Sequence, residues 1–278
     1  MTYLFVALIG LVLGSFLNVC IVRLPQGASV VRPRSHCPSC KHVIRWYDNF
    51  PVLSYILLRG RCRDCGERIS LMYPLVELLT AALLLAAFLE EGWGAAFVRD
   101  SLLVMMLIVI VFTDLTERRV PHRVTAPGIV VGLAFSLFVP VDSRPLSALL
   151  RHLGASPPPA LASLIGALGG AAAGGGLFYV VGQAFYLFGG RRKHYLGFGD
   201  VMLMLLVGVY LGVPLTLLTV LLGSLLGSVV ALPLELLNPR FRHFYWPYGS
   251  FLGAAAIYTC LWGSGLLAAY LRWSGFGG

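Results

Sequence analysis

The chain has 278 residues, of which 58% are hydrophobic and 12% charged, with a mean hydropathy of +0.83. Soluble domains typically carry about twice that charged share, so the composition excludes a soluble globular protein and points to a polytopic membrane protein. The formal charge of +9 would fit nucleic-acid binding in a soluble chain, but here the basic residues sit in short loops between apolar runs, where they orient the chain in a bilayer; no nucleic-acid partner is expected.

Apolar runs of spanning or near-spanning length fall at 3–22, 73–89, 95–113, 124–139, 161–188, 201–213, 215–237 and 251–271. The expected fold is therefore an all-α polytopic membrane protein of about eight transmembrane helices. The first run lacks a basic leading region and reads as a retained helix rather than a signal peptide. The third carries Arg99 and Asp100 near its start, and the sixth is short before Pro214. With the amino terminus outside, 17 of the 21 basic residues fall in inner loops, and only Arg99, Arg144, Arg151 and Arg272 stay outside. That asymmetry supports both the helix count and the orientation.

After the first run come Cys37-Pro38-Ser39-Cys40 and Cys62-Arg63-Asp64-Cys65, two C-x-x-C knuckles separated by 21 residues. This is close to the spacing of a four-thiolate zinc site, in which each tight turn supplies two ligands. Disulfides would not persist in a reducing cytosolic loop. Four thiolates also leave no open position for a water, so the zinc on Cys37, Cys40, Cys62 and Cys65 is expected to be structural. The domain reading is a first transmembrane helix at 1–22, a cytosolic four-cysteine zinc domain at 23–72 and a membrane domain of about seven helices at 73–278. Between the knuckles, Arg45 to Tyr55 mixes aromatic and polar residues, is too short to span, and reads as an interfacial or docking loop, with Asp48 and Asp64 as exposed acids. Cys20 and Cys260 fall in apolar runs and read as packing residues.

Further along, 140–160 with Pro157-Pro158-Pro159 reads as a stiff outer connection. The glycines of 166–176 lack bulk, which suits close helix approach or a local break. No repeat supports an inverted-repeat transporter.

Two acids stand out. Asp114 closes the run that ends at Thr113, and Asp200 opens the next short run behind Gly197-Phe198-Gly199. Carboxylates in such places are costly unless they face a protein interior or a wet cavity. Asp114 is 14 residues from Asp100, and Asp200 is 14 residues from Pro214. At ~1.5 Å per helical residue both lie roughly 21 Å from the outer boundary of a hydrocarbon core about 30 Å thick. Two carboxylates at one depth fit an aspartic-protease pair sharing one proton: the ionised member takes a proton from water while the neutral member polarises the peptide carbonyl. Gly197 and Gly199 would free the backbone and admit a substrate strand. The plainer alternatives are an N-cap for Asp200 and, for Asp114, an ion pair with Arg118 or Arg119. Of the other acids in apolar runs, Glu77 lies close to the zinc module and fits a second site, whereas Glu235 lies near an inner end.

These residues resemble the prepilin peptidases, type IV leader peptidase/N-methyltransferases that share a G-x-G-D signature with other membrane aspartyl proteases. The resemblance spans Gly14 to Val19 with Arg23-Leu24-Pro25, the two knuckles, Leu58 to Cys62, Ile69-Ser70, Tyr73 to Leu78, Asp114 to Pro121, Gly197 to Asp200 and Pro247 to Phe251. It implies cleavage of basic leaders from prepilins and pseudopilins at the cytosolic face of a bacterial inner membrane, with Asp114 and Asp200 catalytic. It also implies methylation of the new amino terminus with S-adenosylmethionine, for which Glu77 marks the candidate region. Two positions depart from the family pattern: His122 replaces a common Asp or Asn, and Met202 a common lysine, for which Arg191, Lys193 or His194 would be the nearby substitutes. The rival reading is an ion-coupled transporter using the two aspartates as a proton relay. A thiol redox protein built on the C-x-x-C pairs is a third.

Overall fold

The computed structural model describes residues 1–143, 157–188, 197–238, 241, 244 and 246–275. Arg191, Lys193, His194 and the Tyr195-Leu196 pair ahead of Gly197 lie outside them, as does most of the 140–160 connection. The chain falls into two units, Met1–Trp93 and Gly94–Gly278.

In the first unit, α1 (Thr2–Arg23) pairs with α3 (Met72–Glu91), and between them lie a 3-10 turn (Trp46–Asp48), the short α2 (Leu53–Leu57) and the two cysteine knuckles. The pairing is close because small residues face it: a Cβ on Gly10 would fall 2.5 Å from the Ala81 Cα, and one on Gly14 2.6 Å from the Glu77 Cα. Without water to drive helices together in a bilayer, such backbone proximity is what membrane helices gain from glycine. Trp46 and Phe50 stay exposed in the connecting loop, and the Asp48 carboxylate is not a free surface acid. It takes hydrogen bonds from the Arg63 guanidinium at 2.6–3.1 Å, and that ion pair holds its carboxyl below the usual range.

In the second unit the elements are α4 (Ala95–Glu117), α5 (His122–Phe135), α6 (Pro159–Ala171), a π-helical turn (Ala172–Gly176), α7 (Leu177–Phe188), α8 (Phe198–Leu237) and α9 (Tyr248–Trp273). Its core is built from Leu103, Leu107 and Ile110 of α4, Leu203, Leu206 and Tyr210 of α8, and Leu252 and Ala256 of α9, all 2% exposed or less. Among the described residues there is no strand, only two isolated bridges in the first unit.

Among the described residues, six helical stretches are long and apolar enough to cross a bilayer: Thr2–Arg23, Met72–Glu91, Ala95–Glu117, Pro159–Leu187, Phe198–Leu237 and Tyr248–Trp273. The protein is therefore a multi-pass membrane protein. The 40 residues of α8 would extend roughly 60 Å if straight, about twice the hydrocarbon core. They do not run straight. Gly212 has φ 72° and ψ 179°, a break that an L side chain tolerates poorly, and Pro214 follows. Tyr248 Oη lies 2.8 Å from Ser224 Oγ, while a Cβ on the adjacent Gly249 would be 3.1 Å from Asp200 Oδ1. In one straight helix Asp200 and Ser224 would stand roughly 36 Å apart. The chain turns back at Gly212, so the two runs expected at 201–213 and 215–237 are the two arms of one hairpin. All eight expected runs are then accounted for, with α5 the short one at 14 residues.

The glycine-rich stretch does both things its composition allows. It relaxes into the π-helical turn, and it lets α6 touch the first arm of α8: a Cβ on Gly170 would lie 2.7 Å from the Gly212 Cα, and one on Gly208 2.5 Å from the Ala171 N. Gly208→Val is expected to destabilise the protein by roughly 1–3 kcal/mol through overpacking, measured as a lower midpoint of thermal unfolding in detergent.

Candidate active site

Three helix ends meet at the candidate site. α4 runs to Glu117 and ends with Arg118 in the left-handed region at φ 53°, its N–H donating to the Asp114 carbonyl at 2.9 Å. Asp114 thus lies in the last helical turn, 7% exposed. At the start of α8, Gly197 occupies the N-cap in an extended conformation and no side chain caps the helix. Asp200 is therefore not an N-cap. It stands in the first turn, where the helix dipole favours a negative group, its own N–H bonded to the Gly197 carbonyl at 3.0 Å.

The third end is the start of α9, which sequence reasoning approached only through the family resemblance. The Ser250 N–H and hydroxyl both donate to Asp114 Oδ2, at 2.7 and 2.9 Å. Asp114 therefore takes its hydrogen bonds from Ser250, and Arg118 lies over the Phe244 ring at 4.7 Å. A Cβ on Gly249 would be 3.0 Å from Asp114 Oδ2 and 3.1 Å from Asp200 Oδ1. The two carboxylates thus flank one small space that exists because residue 249 has no side chain. They open on a cavity of about 310 Å³, also lined by Arg118, Arg119, His122 and Tyr248.

Of the signature glycines, Gly199 has a spatial rather than a conformational reason, and Gly197 shows neither, since an added Cβ would stand 3.7 Å from Asp200 Oδ2, an ordinary contact. Gly199 faces Val120, whose Cβ would stand 2.9 Å from an added Cβ, and Gly197 has a backbone conformation open to any residue. His122 packs beside Phe198, ring centroids 5.6 Å apart. Glu235, half-buried, accepts the Trp246 indole N–H at 2.7 Å.

A second constellation lies in the first unit. The sulfurs of Cys37, Cys40, Cys62 and Cys65 all fall within 4.8 Å of one another, and Cys37 and Cys65 are 3.8 Å apart. Tetrahedral thiolates about 2.3 Å from zinc sit about 3.8 Å apart, so the cluster fits that ion. The knuckles share one backbone design: the Cys37 N–H donates to the His42 carbonyl at 2.9 Å and the Cys62 N–H to the Glu67 carbonyl at 2.8 Å. Lys41 at φ 61° takes the left-handed place that Gly66 takes in the other knuckle. The Cys40 backbone N–H draws the Cys37 thiol down to about 6. At Cys65 the Glu67 N–H also pulls down, but desolvation and the neighbouring thiols push it up to about 12. A dication among the four sulfurs removes that mutual repulsion.

Glu77, 7% exposed, accepts the Val52 N–H at 2.8 Å and lines a cavity of about 610 Å³ beside the knuckles. That volume is in the range of small-molecule sites.

Two family models match the chain: Bacterial Peptidase A24 N-terminal domain over residues 8–90, and Type IV leader peptidase family over residues 101–232. Several curated relatives carry the name prepilin leader peptidase/N-methyltransferase. The one from Myxococcus xanthus (strain DK1622) is 37% identical over 236 residues, covering 85% of this chain and 64% of that protein. The one from Aeromonas salmonicida (strain A449) is 33% identical over 296 residues, covering 96% of this chain and 92% of that protein. The Bacillus subtilis (strain 168) relative is 30% identical over 267 residues, covering 95% of each. No solved structure gives a significant match.

Proposed function

The chain belongs to the type IV leader peptidase family, and we propose that it removes the leaders of prepilins and pseudopilins with Asp114 and Asp200 and methylates the amino terminus this exposes. The observation that carries the peptidase reading is the pair of carboxylates flanking the space at Gly249. A water there is within reach of both acids. The ionised member takes its proton, the neutral member polarises the scissile carbonyl, and the proton then passes to the leaving amine. Ser250 fixes the orientation of Asp114. Gly199 lets Val120 close one wall of the cavity.

Zinc on Cys37, Cys40, Cys62 and Cys65 holds the loop between α1 and α3 in one fold, with no catalytic part. Purified protein is expected to contain about one zinc per chain. Cys37→Ser is expected to lose most of that zinc by elemental analysis and to open residues 23–72 to proteolysis. S-adenosylmethionine, when bound, supplies an electrophilic methyl group, and the cavity at Glu77 has the volume to hold a molecule of that size. The protein sits in a bacterial inner membrane with its amino terminus outside and the aspartates facing the cytosol, as the loop charges favour.

The test is incubation of the purified protein with a prepilin and labelled S-adenosylmethionine, followed by mass measurement of the product's amino terminus. The expected product is leaderless and carries one methyl group. Intact prepilin together with proton-coupled flux in liposomes would instead favour the transporter.

A further inference from the structure

The cavity beside the cysteine knuckles carries an electrostatic feature that neither cleavage nor zinc uses. Asn18 of α1 is 3% exposed; its Nδ2 donates to the Tyr73 carbonyl at 3.0 Å, but its Oδ1 is buried with no hydrogen-bond partner. Buried acceptors are normally paired. Asn18 and Glu77 both line this cavity. Glu77 Oε2 takes the Val52 N–H at 2.8 Å, and the Ser15 hydroxyl also bonds the carboxylate. A carboxylate offers about four acceptor positions, so acceptor capacity remains. Three arginines on the cavity wall are turned to other partners, Arg63 to Asp48, Arg45 to Asp64 at 3.8 Å, and Arg23 to the Ser29 carbonyl at 3.0 Å, while Arg68 and Lys41 also line it. What remains at Asn18 and Glu77 is a buried amide oxygen beside a carboxylate with spare acceptor capacity, in a cavity also lined by Phe50 and Tyr55. Its complement is a group with several N–H donors and a positive charge, attached to an apolar residue.

We infer that this cavity binds the free α-amine of the cleaved pilin, with the Glu77 carboxylate and Asn18 Oδ1 as its acceptors, and that Glu77 accepts the proton this amine must lose before methyl transfer. The inference rests on the methylation proposed above. Glu77 takes one proton from the ammonium, and the freed nitrogen lone pair attacks the methyl carbon of a sulfonium donor. The carbon–sulfur bond breaks with its electron pair on sulfur, which leaves as a neutral thioether. The nitrogen ends as a secondary ammonium, and Glu77 returns its proton to solvent. Asn18 orients the amine and takes no proton.

The experiment uses the full-length protein in detergent with a synthetic peptide bearing a free pilin amino terminus, so that methylation does not depend on cleavage. Glu77→Gln is expected to slow methylation of this peptide by ~100-fold or more and to weaken its binding, while cleavage of intact prepilin and binding of labelled S-adenosylmethionine stay near wild type. Asn18→Leu is expected to raise KM for the peptide more than it lowers kcat. The N-acetylated peptide, which lacks the ammonium, is expected not to compete for binding. Near-normal methylation by Glu77→Gln overturns the inference. Loss of cleavage in parallel overturns it too, as does loss of donor binding with peptide binding intact. A wild-type protein that cleaves but transfers no methyl sinks the methylation reading itself, and the preference for free over acetylated peptide then still decides whether the cavity is an amine site.

Discussion

Asp114→Asn and Asp200→Asn are each expected to slow prepilin cleavage by at least about a thousandfold, while the protein still accumulates in membranes at its usual level. The amide is close to the carboxyl in shape, so packing at the helix ends is preserved, but it neither takes a proton from water nor returns one. At position 114 the geometry sharpens this expectation. Ser250 presents two donors to Oδ2, so the asparagine oxygen will turn toward them and its NH₂ toward the cavity, where a donor replaces a base. A pair of aspartates acting as one unit predicts a double variant no slower than either single one. Methylation of an already cleaved peptide is expected to continue in all three, since Glu77 and Asn18 belong to the first unit. Quantitative immunoblotting of membranes, with leader removal followed by mass, reads these outcomes together. Near-normal cleavage by either single variant would sink the two-aspartate mechanism.

The fold was legible where a single physical rule dominates. Hydrocarbon demands long apolar stretches, so the long helices could be read directly, whereas the five-residue α2 fell in what read as a loop. The hairpin inside α8 was legible as well, though its hinge was not: Pro214 marks the neighbourhood, but the reversal falls at Gly212, where the backbone needs φ 72°. A proline is visible in a sequence as a helix breaker, whereas a left-handed glycine looks like any other of the 32. Counting residues along the helices placed Asp114 and Asp200 at one depth, and they line one cavity. The count could not find what stands between them. Ser250 meets Asp114 across 136 residues of chain, a contact with no local signature beyond a lone hydroxyl in the first turn of an apolar helix. Asn18 escaped for the same reason. It is one polar residue in an apolar run, and its meaning depends on Tyr73, which sequence places 55 residues away. The knuckles were the opposite case, because a four-sulfur cluster built from two local turns writes its spacing into the chain.

Gly249→Ala is expected to separate stability from activity, and in opposite directions. Gly249 lies in the first turn of α9 with an ordinary helical backbone, so alanine there adds no backbone strain and favours the helix by up to about 1 kcal/mol, enough to offset a small shift of the two carboxylate oxygens that its methyl would press. Its methyl carbon would stand 3.0 Å from Asp114 Oδ2 and 3.1 Å from Asp200 Oδ1, in the space a water or a peptide carbonyl must occupy. A reacting atom displaced by about 1 Å costs roughly a hundredfold in rate, so cleavage is expected to fall by at least about that factor while the thermal midpoint holds or rises. Gly265→Ala is the matched control. It lies on the same helix with nothing within 4 Å of an added Cβ, so it is expected to gain the same helix propensity with cleavage unchanged. Rates with a purified prepilin and unfolding midpoints of the two variants in the same detergent decide the matter. If Gly249→Ala cleaves as fast as Gly265→Ala, the water does not sit between these carboxylates. If it loses activity only by losing stability, glycine is there for packing and the space is incidental. A folded, inactive Gly249→Ala would locate the reacting atoms to within about the radius of that methyl group, which neither aspartate variant can do, because each removes a reacting group instead of occupying the place where it works.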